Sequence, residues 1–192
     1  MTWKITPIEL AGAATGLFEI TPPRFTDHRG FLSEAYNADE LARHGIDIPF
    51  IQDNHSHSLT KGTVRGLHFQ APPFAQAKLV RVVRGTILDI ALDIRVGSPS
   101  FGRHVAVEVS AEKGNQMLVP AGFAHGFCTL TPETDVIYKL SAPHSKEHER
   151  GVLWTDPDLG IDWPVTPESA VVSEKDRTNP LLKELPPYFR WA

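Results

Sequence analysis

Apolar and polar residues alternate through much of the middle of the chain, with a period of two rather than 3.6. From Thr86 to Ile94, the residues Leu88, Ile90, Leu92 and Ile94 alternate with Ile87, Asp89, Ala91 and Asp93, the pattern of a strand with one buried face. His104 to Ser110 behaves likewise, with Val105, Val107 and Val109 on one side. A third alternation sets Val136, Tyr138 and Leu140 against Asp135, Ile137 and Lys139, so Tyr138 should point into an interior. Only one helix is well signalled: Asn37 can cap it, Glu40 stands three residues on as in a capping box, and Gly45 can end it. A further short turn is expected over Leu181 to Leu185, between Pro180 and Pro186. Fourteen Gly and sixteen Pro punctuate the 192 residues into short segments. The pattern predicts an all-β antiparallel barrel or sandwich with a few short peripheral helices, and a closed sheet of this kind can hold a ligand in its mouth.

Length and charge narrow the setting. A chain of 192 residues fits one domain and can bury a core without disulfides or a structural metal, and no repeat or linker divides it. Its net charge of −4 gives no general attraction to nucleic acid or to an anionic membrane, so a bound anion must meet a local basic pocket. Cys128, the only cysteine, sits in the apolar run Gly126 to Leu130 and reads as a buried small hydrophobe. Lys4, Pro7 and Glu9 interrupt the first ten residues, and no apolar stretch reaches membrane-spanning length. A cytoplasmic protein is the expectation.

Chemistry concentrates between Gln52 and Lys78, where Gln52, Asn54, His55, His57, Arg65, His68, Gln70 and Lys78 lie among apolar neighbours. On an extended strand His68 shares a face with Gly66 and Gln70, and Arg65 points the other way unless Gly66 makes a bulge. A lone strand histidine is more often structural, but its spacing resembles a known pattern. Gly62, His68, Gln70, Lys78 and Gly85 resemble the first cupin motif, and Pro120-Ala121-Gly122-Phe123-Ala124-His125 resembles the second. In metal-binding cupins a second histidine stands where Gln70 does, and an acidic ligand where Lys78 does. A fixed ammonium repels a divalent cation, so the donor set is not one that Zn or Fe favours. His55-Ser56-His57 could offer a replacement pair, but no carboxylate follows within a few residues. No metal and no cofactor are expected.

Six stretches together resemble the dTDP-4-dehydrorhamnose 3,5-epimerase family: Asp27-His28-Arg29-Gly30-Phe31 with Glu34, Gln52 to Ser56, Arg65 to Gln70, Lys78 to Arg81, Gly122 to Phe127, and Trp154 to Pro164. The resemblance covers nearly the whole chain. It implies a cupin jelly roll acting as a homodimer, in which the N-terminal segment, about residues 1–50, contributes to the partner's site. A C-terminal tail, about residues 165–192, would fold back on the barrel. It implies that His68 is the base, oriented by Asp176, that Lys78 faces the 4-keto oxygen, and that Tyr138 returns a proton from the opposite face. It also implies that Arg29 and Arg65 hold the diphosphate, that Glu34, Gln52 and Asn54 surround the nucleotide and sugar, and that Phe31 contacts the base. His125 follows as an orienting pocket residue and Lys175 as a further substrate contact.

The leading expectation is therefore an isomerase that inverts C3 and C5 of a dTDP-4-keto-6-deoxyhexose, in dTDP-rhamnose biosynthesis, through enolates. An epimerase of an antibiotic deoxysugar pathway that inverts a single carbon is the nearest alternative, and His68, Asp176, Lys78 and Tyr138 do not separate the two. Two other classes are a metal-dependent cupin oxygenase, disfavoured by Lys78 and Gln70, and a non-catalytic sugar-nucleotide binder, for which the set would be superfluous. Partners are limited to the sugar nucleotide and a second copy of the chain, with no nucleic acid and no membrane.

Overall fold

Side-chain alternation builds two facing sheets, because each strand offers one row of side chains to the space between them and one row outward. The computed structural model describes residues 2–191. Its strands begin with β1 (Lys4–Leu10) and β2 (Ala13–Thr21), followed by a hairpin of β3 (Arg24–Asp27) and β4 (Gly30–Ser33). After α1 (Ala38–Arg43) come β5 (Gln52–Ser58), β6 (Thr63–Gln70), β7 (Lys78–Arg84), β8 (Thr86–Asp93) and the short β9 (Arg95–Val96). The rest are β10 (His104–Ser110), β11 (Gln116–Val119), β12 (Phe123–Thr129), β13 (Thr134–Leu140), β14 (Glu149–Gly151) and β15 (Val171–Val172), then α2 (Glu174–Arg177), a 3-10 turn (Leu182–Glu184) and β16 (Phe189–Arg190).

One sheet runs β1-β2-β11-β7-β13-β5 and the other β10-β8-β12-β6-β14, with β15 added parallel to β6. Strands distant in sequence alternate within each sheet, the arrangement of a jelly roll. The space between the sheets is filled from both sides. Leu17, Val80, Val82, Met117, Val119 and Val136 come from the first sheet, and Ile87, Ala91, Val109, Phe123 and Phe127 from the second. Val105 and Val107 join them, as their alternation predicts, and so does Tyr138.

The reading of β8 as a strand with one buried face needs correction. Ile90, Leu92 and Ile94 pack outward into a second cluster with Leu67, Phe69, Val152 and Leu182, while Ile87 and Ala91 fill the barrel. Both faces are covered because the chain after β14 returns over the outer surface: Leu182, Leu185, Tyr188 and Phe189 lie against this cluster, with Phe69 edge-on to Tyr188 and Phe189. Asp89 and Asp93, on the barrel face, are consequently buried.

α1 starts where its cap predicts. Asn37 Oδ1 accepts from the Glu40 N–H at 3.1 Å, and Gly45, at φ +79°, follows the last turn. Leu41 anchors the helix on the outer face of the first sheet, among Ile20, Ile46, Leu79 and Leu118. α2 was not signalled by periodicity, since four residues are too few to show one. Burial pushes the Cys128 thiol up to about 11, so it stays protonated, as an inert core residue should. No helix among the described residues is long and apolar enough to cross a membrane.

Candidate active site

A bulge on β6 decides which side chains meet. His68 pairs with His125 of β12 and Arg65 with Phe127, so three steps along β6 match two along β12. The extra residue turns Arg65 to the same side as His68. Gly66 permits this: at φ +133° it lies so near β12 that an added Cβ would stand 2.5 Å from Gly126 Cα and 2.9 Å from the His125 carbonyl. Both residues therefore line one cavity of about 550 Å³, with Lys78, His125, Tyr138, Glu149, Ser173, Lys175 and Asp176 among its walls. A smaller adjoining lobe adds Asn54, Gln70, Gln76 and His144.

His68 Nε2 and Asp176 Oδ1 are 2.5 Å apart. Asp176 is buried, and its other oxygen accepts from the Gly66 N–H at 3.3 Å. Burial alone would raise this carboxyl, but the His68 contact, the Gly66 N–H and Ser173 together hold it below its ordinary value. An ionised acceptor fixes the neutral ring's proton on Nε2 and leaves the Nδ1 lone pair available as a base.

Lys78, from the facing sheet, is half-buried with its ammonium desolvated, and donates to the His68 carbonyl at 3.2 Å. Desolvation lowers its ammonium to about 8, against the opposing pull of Asp89 and Glu149. Its charge is therefore held in a dry site, where it acts on a nearby oxyanion far more strongly than in water. Tyr138 stands on the same sheet and its hydroxyl accepts from Asn54 Nδ2 at 3.3 Å, while Gln52 Nε2 holds the Asn54 carbonyl oxygen at 2.8 Å. Arg65 is steadied by Ser58 Oγ at 3.2 Å and the His57 carbonyl at 2.9 Å, with no carboxylate partner among the described residues. Its charge remains available to an anion.

Two acidic residues at the site escaped sequence reasoning. Asp89 Oδ1 takes a 2.6 Å hydrogen bond from His125 Nε2, and its Oδ2 has no hydrogen-bond partner among the described residues. Burial pushes His125 below its ordinary value despite Asp89, so the ring is neutral and serves as a donor that orients. The only available signal was an aspartate on a strand whose other face was already apolar. Glu149, in a three-residue strand, carried no pattern at all.

Gln70, where a metal-binding cupin has its second histidine, is committed elsewhere: its amide donates to the Phe74 and Pro143 carbonyls at 2.7 and 3.1 Å and accepts from the Ser145 N–H at 2.7 Å. The His55 and His57 pair does find a carboxylate, from the neighbouring strand rather than the nearby sequence, since both rings contact Asp135 Oδ1 at 2.9 and 3.0 Å. That pair faces outward, away from the cavity.

Four of the expected binding residues line neither this cavity nor its lobe, and one of them, Gln52, stands behind Asn54 and accepts from the His144 N–H at 3.2 Å. Arg29, Phe31 and Glu34 belong to the β3–β4 hairpin and the segment after it, where Arg29 pairs with Asp27 at 2.6 Å, Phe31 lies 4.4 Å under Arg24 and Glu34 accepts from Asn37 at 3.0 Å. Gathered around one cavity are an imidazole with a fixed tautomer, a desolvated cation and a phenol on the facing sheet. That set can remove a proton beside a carbonyl, stabilise the enolate and return a proton from the other side.

The chain is similar to known proteins over most of its length. A family model described as dTDP-4-dehydrorhamnose 3,5-epimerase matches residues 12–184. The enzyme of that name from Sinorhizobium fredii is 51% identical over 173 residues, covering 90% of this chain and 88% of its own. A crystal structure of dTDP-6-deoxy-D-glucose-3,5-epimerase from Legionella pneumophila, in complex with dTDP-4-keto-L-rhamnose, superimposes with a TM-score of 0.92 at 38% identity and covers 99% of both chains. A 3'-monoepimerase from Streptomyces bikiniensis, solved with dTDP-quinovose, gives a TM-score of 0.84 at 32% identity, covering 93% of this chain and 87% of that one.

Proposed function

Because the chain belongs to the dTDP-4-dehydrorhamnose 3,5-epimerase family, we propose that it inverts C3 and C5 of a dTDP-4-keto-6-deoxyhexose by removing protons beside the C4 ketone and replacing them on the opposite face. It is an isomerase of dTDP-rhamnose biosynthesis. One observation carries the mechanism: His68 and Tyr138 project from facing sheets into a single cavity that also holds the desolvated ammonium of Lys78. A sugar ring between the sheets offers one face to the base and the other to the phenol. Inversion needs that geometry.

In this reading His68 Nδ1 takes the proton while Asp176 stabilises the imidazolium that forms. Negative charge grows on the C4 oxygen, and Lys78 meets it. Tyr138 then donates to the far face, and Asn54 and Gln52 hold its hydroxyl in place. Both reacting carbons adjoin the same ketone, so one set of groups serves each in turn. Arg65 takes the diphosphate, for which a guanidinium fork is suited. His125 orients the sugar from its bond to Asp89. The decisive experiment is incubation with the 4-keto sugar nucleotide in deuterated water, with NMR following each carbon. Deuterium with inverted configuration at C3 and C5 is the expected result; inversion at C3 alone or C5 alone would overturn double epimerisation.

Turnover should fall on the alkaline side as pH passes about 8, where Lys78 loses its proton. The sign follows from the role: the lowered lysine is charged, and active, below that pH and neutral above it. Lys78→Arg keeps a charge that does not titrate in this range. Its residual turnover should lack the alkaline limb, and an unchanged limb in kcat between pH 7 and 10 would remove Lys78 from the oxyanion role.

The proposal extends to a homodimer with shared sites. Phe25, Phe31 and Leu32 are largely exposed on a two-stranded hairpin, and Arg29 and Glu34 lie outside the cavity of their own chain. We place them in the cavity of a second copy. Mixing Arg29→Ala with His68→Ala protein should restore activity, since about a quarter of the sites would then combine an intact barrel with an intact hairpin. A mixture no more active than its components would contradict the shared site.

A further inference from the structure

Gln70 lies two residues beyond His68, is buried, and uses both hydrogens of its amide. Nε2 donates to the Phe74 and Pro143 carbonyls, and Oε1 accepts from the Ser145 N–H. A carbonyl only accepts and a backbone N–H only donates, so these partners fix which way the amide faces. The Pro143 and Ser145 bonds reach the loop of residues 141–148, between β13 and β14, on either side of His144. Among the described residues, no other group outside that loop bonds Pro143 or Ser145.

The His144 N–H, so placed, begins a chain of hydrogen bonds that runs to the phenol. It donates to Gln52 Oε1 at 3.2 Å, Gln52 Nε2 donates to Asn54 Oδ1 at 2.8 Å, and Asn54 Nδ2 donates to the Tyr138 hydroxyl oxygen at 3.3 Å. Gln52 and Asn54 can each present an oxygen or a nitrogen to a neighbour, so neither sets a direction by itself. The backbone N–H does. It turns the Gln52 oxygen toward itself, which leaves the Gln52 nitrogen for Asn54 and hence the Asn54 nitrogen for Tyr138. A phenol that accepts from Asn54 sends its own proton elsewhere, and that proton has no acceptor among the described residues. The cavity is what remains. With both amides turned over, Tyr138 would donate to Asn54 and withhold its proton from the substrate.

We propose that Gln70 is a positioning residue: its clamp on the 141–148 loop presents the His144 N–H to Gln52, and the one-way chain that follows aims the Tyr138 proton into the cavity. The direction of the chain is a property of the fold, whereas its kinetic consequence rests on the reading of Tyr138 as the acid of an epimerase. Gln70 makes no hydrogen bond to the His68 ring, Asp176 or the Lys78 ammonium, the groups that form the enolate. Its loss therefore changes how the enolate is quenched rather than how fast it forms.

The test uses Gln70→Met, which removes all three bonds at similar volume, and Gln70→Glu, which keeps an acceptor for Ser145 but, ionised, has no hydrogen for either carbonyl. Incubation with the 4-keto sugar nucleotide in deuterated water gives two rates for each variant: deuterium gained with configuration retained, and deuterium gained with inversion. The ratio of retained to inverted exchange should rise about tenfold in both variants, less than outright loss of an acid catalyst would give. Both rates come from folded, active molecules alone, so a smaller folded fraction leaves their ratio unmoved. A wild-type ratio with both rates slowed together would make Gln70 merely structural and overturn the proposal. Amide exchange followed by NMR supplies a readout without substrate. In the wild-type protein the His144 amide should be protected although its side chain is exposed, and both variants should lose protection at His144 and Ser145. An unprotected wild-type His144 would break the chain at its first link, and protection unchanged in the variants would overturn the clamp. Normal inversion by Tyr138→Phe would sink the reading of Tyr138 as the acid, while the amide data would still decide the clamp.

Discussion

His68→Ala is expected to lower turnover by about 10²–10⁴ while leaving affinity for dTDP close to wild type, because general-base removal typically costs that much and the nucleotide is held elsewhere. The expectation follows from the separation of tasks within the cavity. His68 is bound to Asp176 and, in the proposed reading, faces the sugar, whereas Arg65 is anchored by Ser58 and His57 with no carboxylate partner among the described residues. Removing the imidazole also leaves Asp176 buried without its main partner, so the Gly66 N–H and Ser173 must satisfy it and some stability will be lost. Steady-state kinetics and dTDP titration by calorimetry separate these effects. A variant that keeps turnover within threefold of wild type, an order-of-magnitude margin below the expected loss, would transfer the base role to another group.

Tyr138→Phe should uncouple proton removal from inversion. The substitution leaves His68, Asp176 and Lys78 in place, so the enolate still forms, but the phenol that would donate to its far face is gone. The protonated His68 can then return its proton to the original face. In deuterated water the variant should exchange hydrogen for deuterium beside the ketone while net inversion falls by about 10²-fold, the lower end for loss of an acid catalyst. Packing should change little, since the ring stays among the barrel residues and only the 3.3 Å contact with Asn54 is lost. Wild-type rates of inverted product would show that water or another side chain is the acid. Exchange that fell in step with inversion would mean that the phenol acts during enolate formation.

The inward face of Tyr138 was legible because its strand alternates cleanly and only one row is apolar enough to meet the barrel interior. Half of the α1 capping box was legible for a similar reason: the Asn37 side chain bonds the backbone N–H three residues on, whereas the Glu40 carboxylate turns to Arg43 instead of closing the box. His68, Lys78 and His125 stood out through motif spacing, which survives because turn and strand lengths between them are set locally. Arg65 depended on a conditional, and the bulge at Gly66 resolved it. β8 was misread for want of information outside its own sequence. Alternation distinguishes two faces but does not say which is covered, and residues near position 185 supply the cover for one of them.

By itself, then, the sequence determined the strand-rich class, the orientation of the clearest strands and the identity of the groups able to move a proton. These depend on periods of two, on capping within a turn and on the chemistry of side chains, all of which act over short distances along the chain. Tertiary structure alone decided that Asp176 reaches His68 across more than a hundred residues, that Asp89 is buried against His125 and that Glu149 receives Lys175. Such pairings are made by strands that meet only after the barrel closes, and no local period encodes the partner of a side chain whose environment comes from the opposite end of the chain.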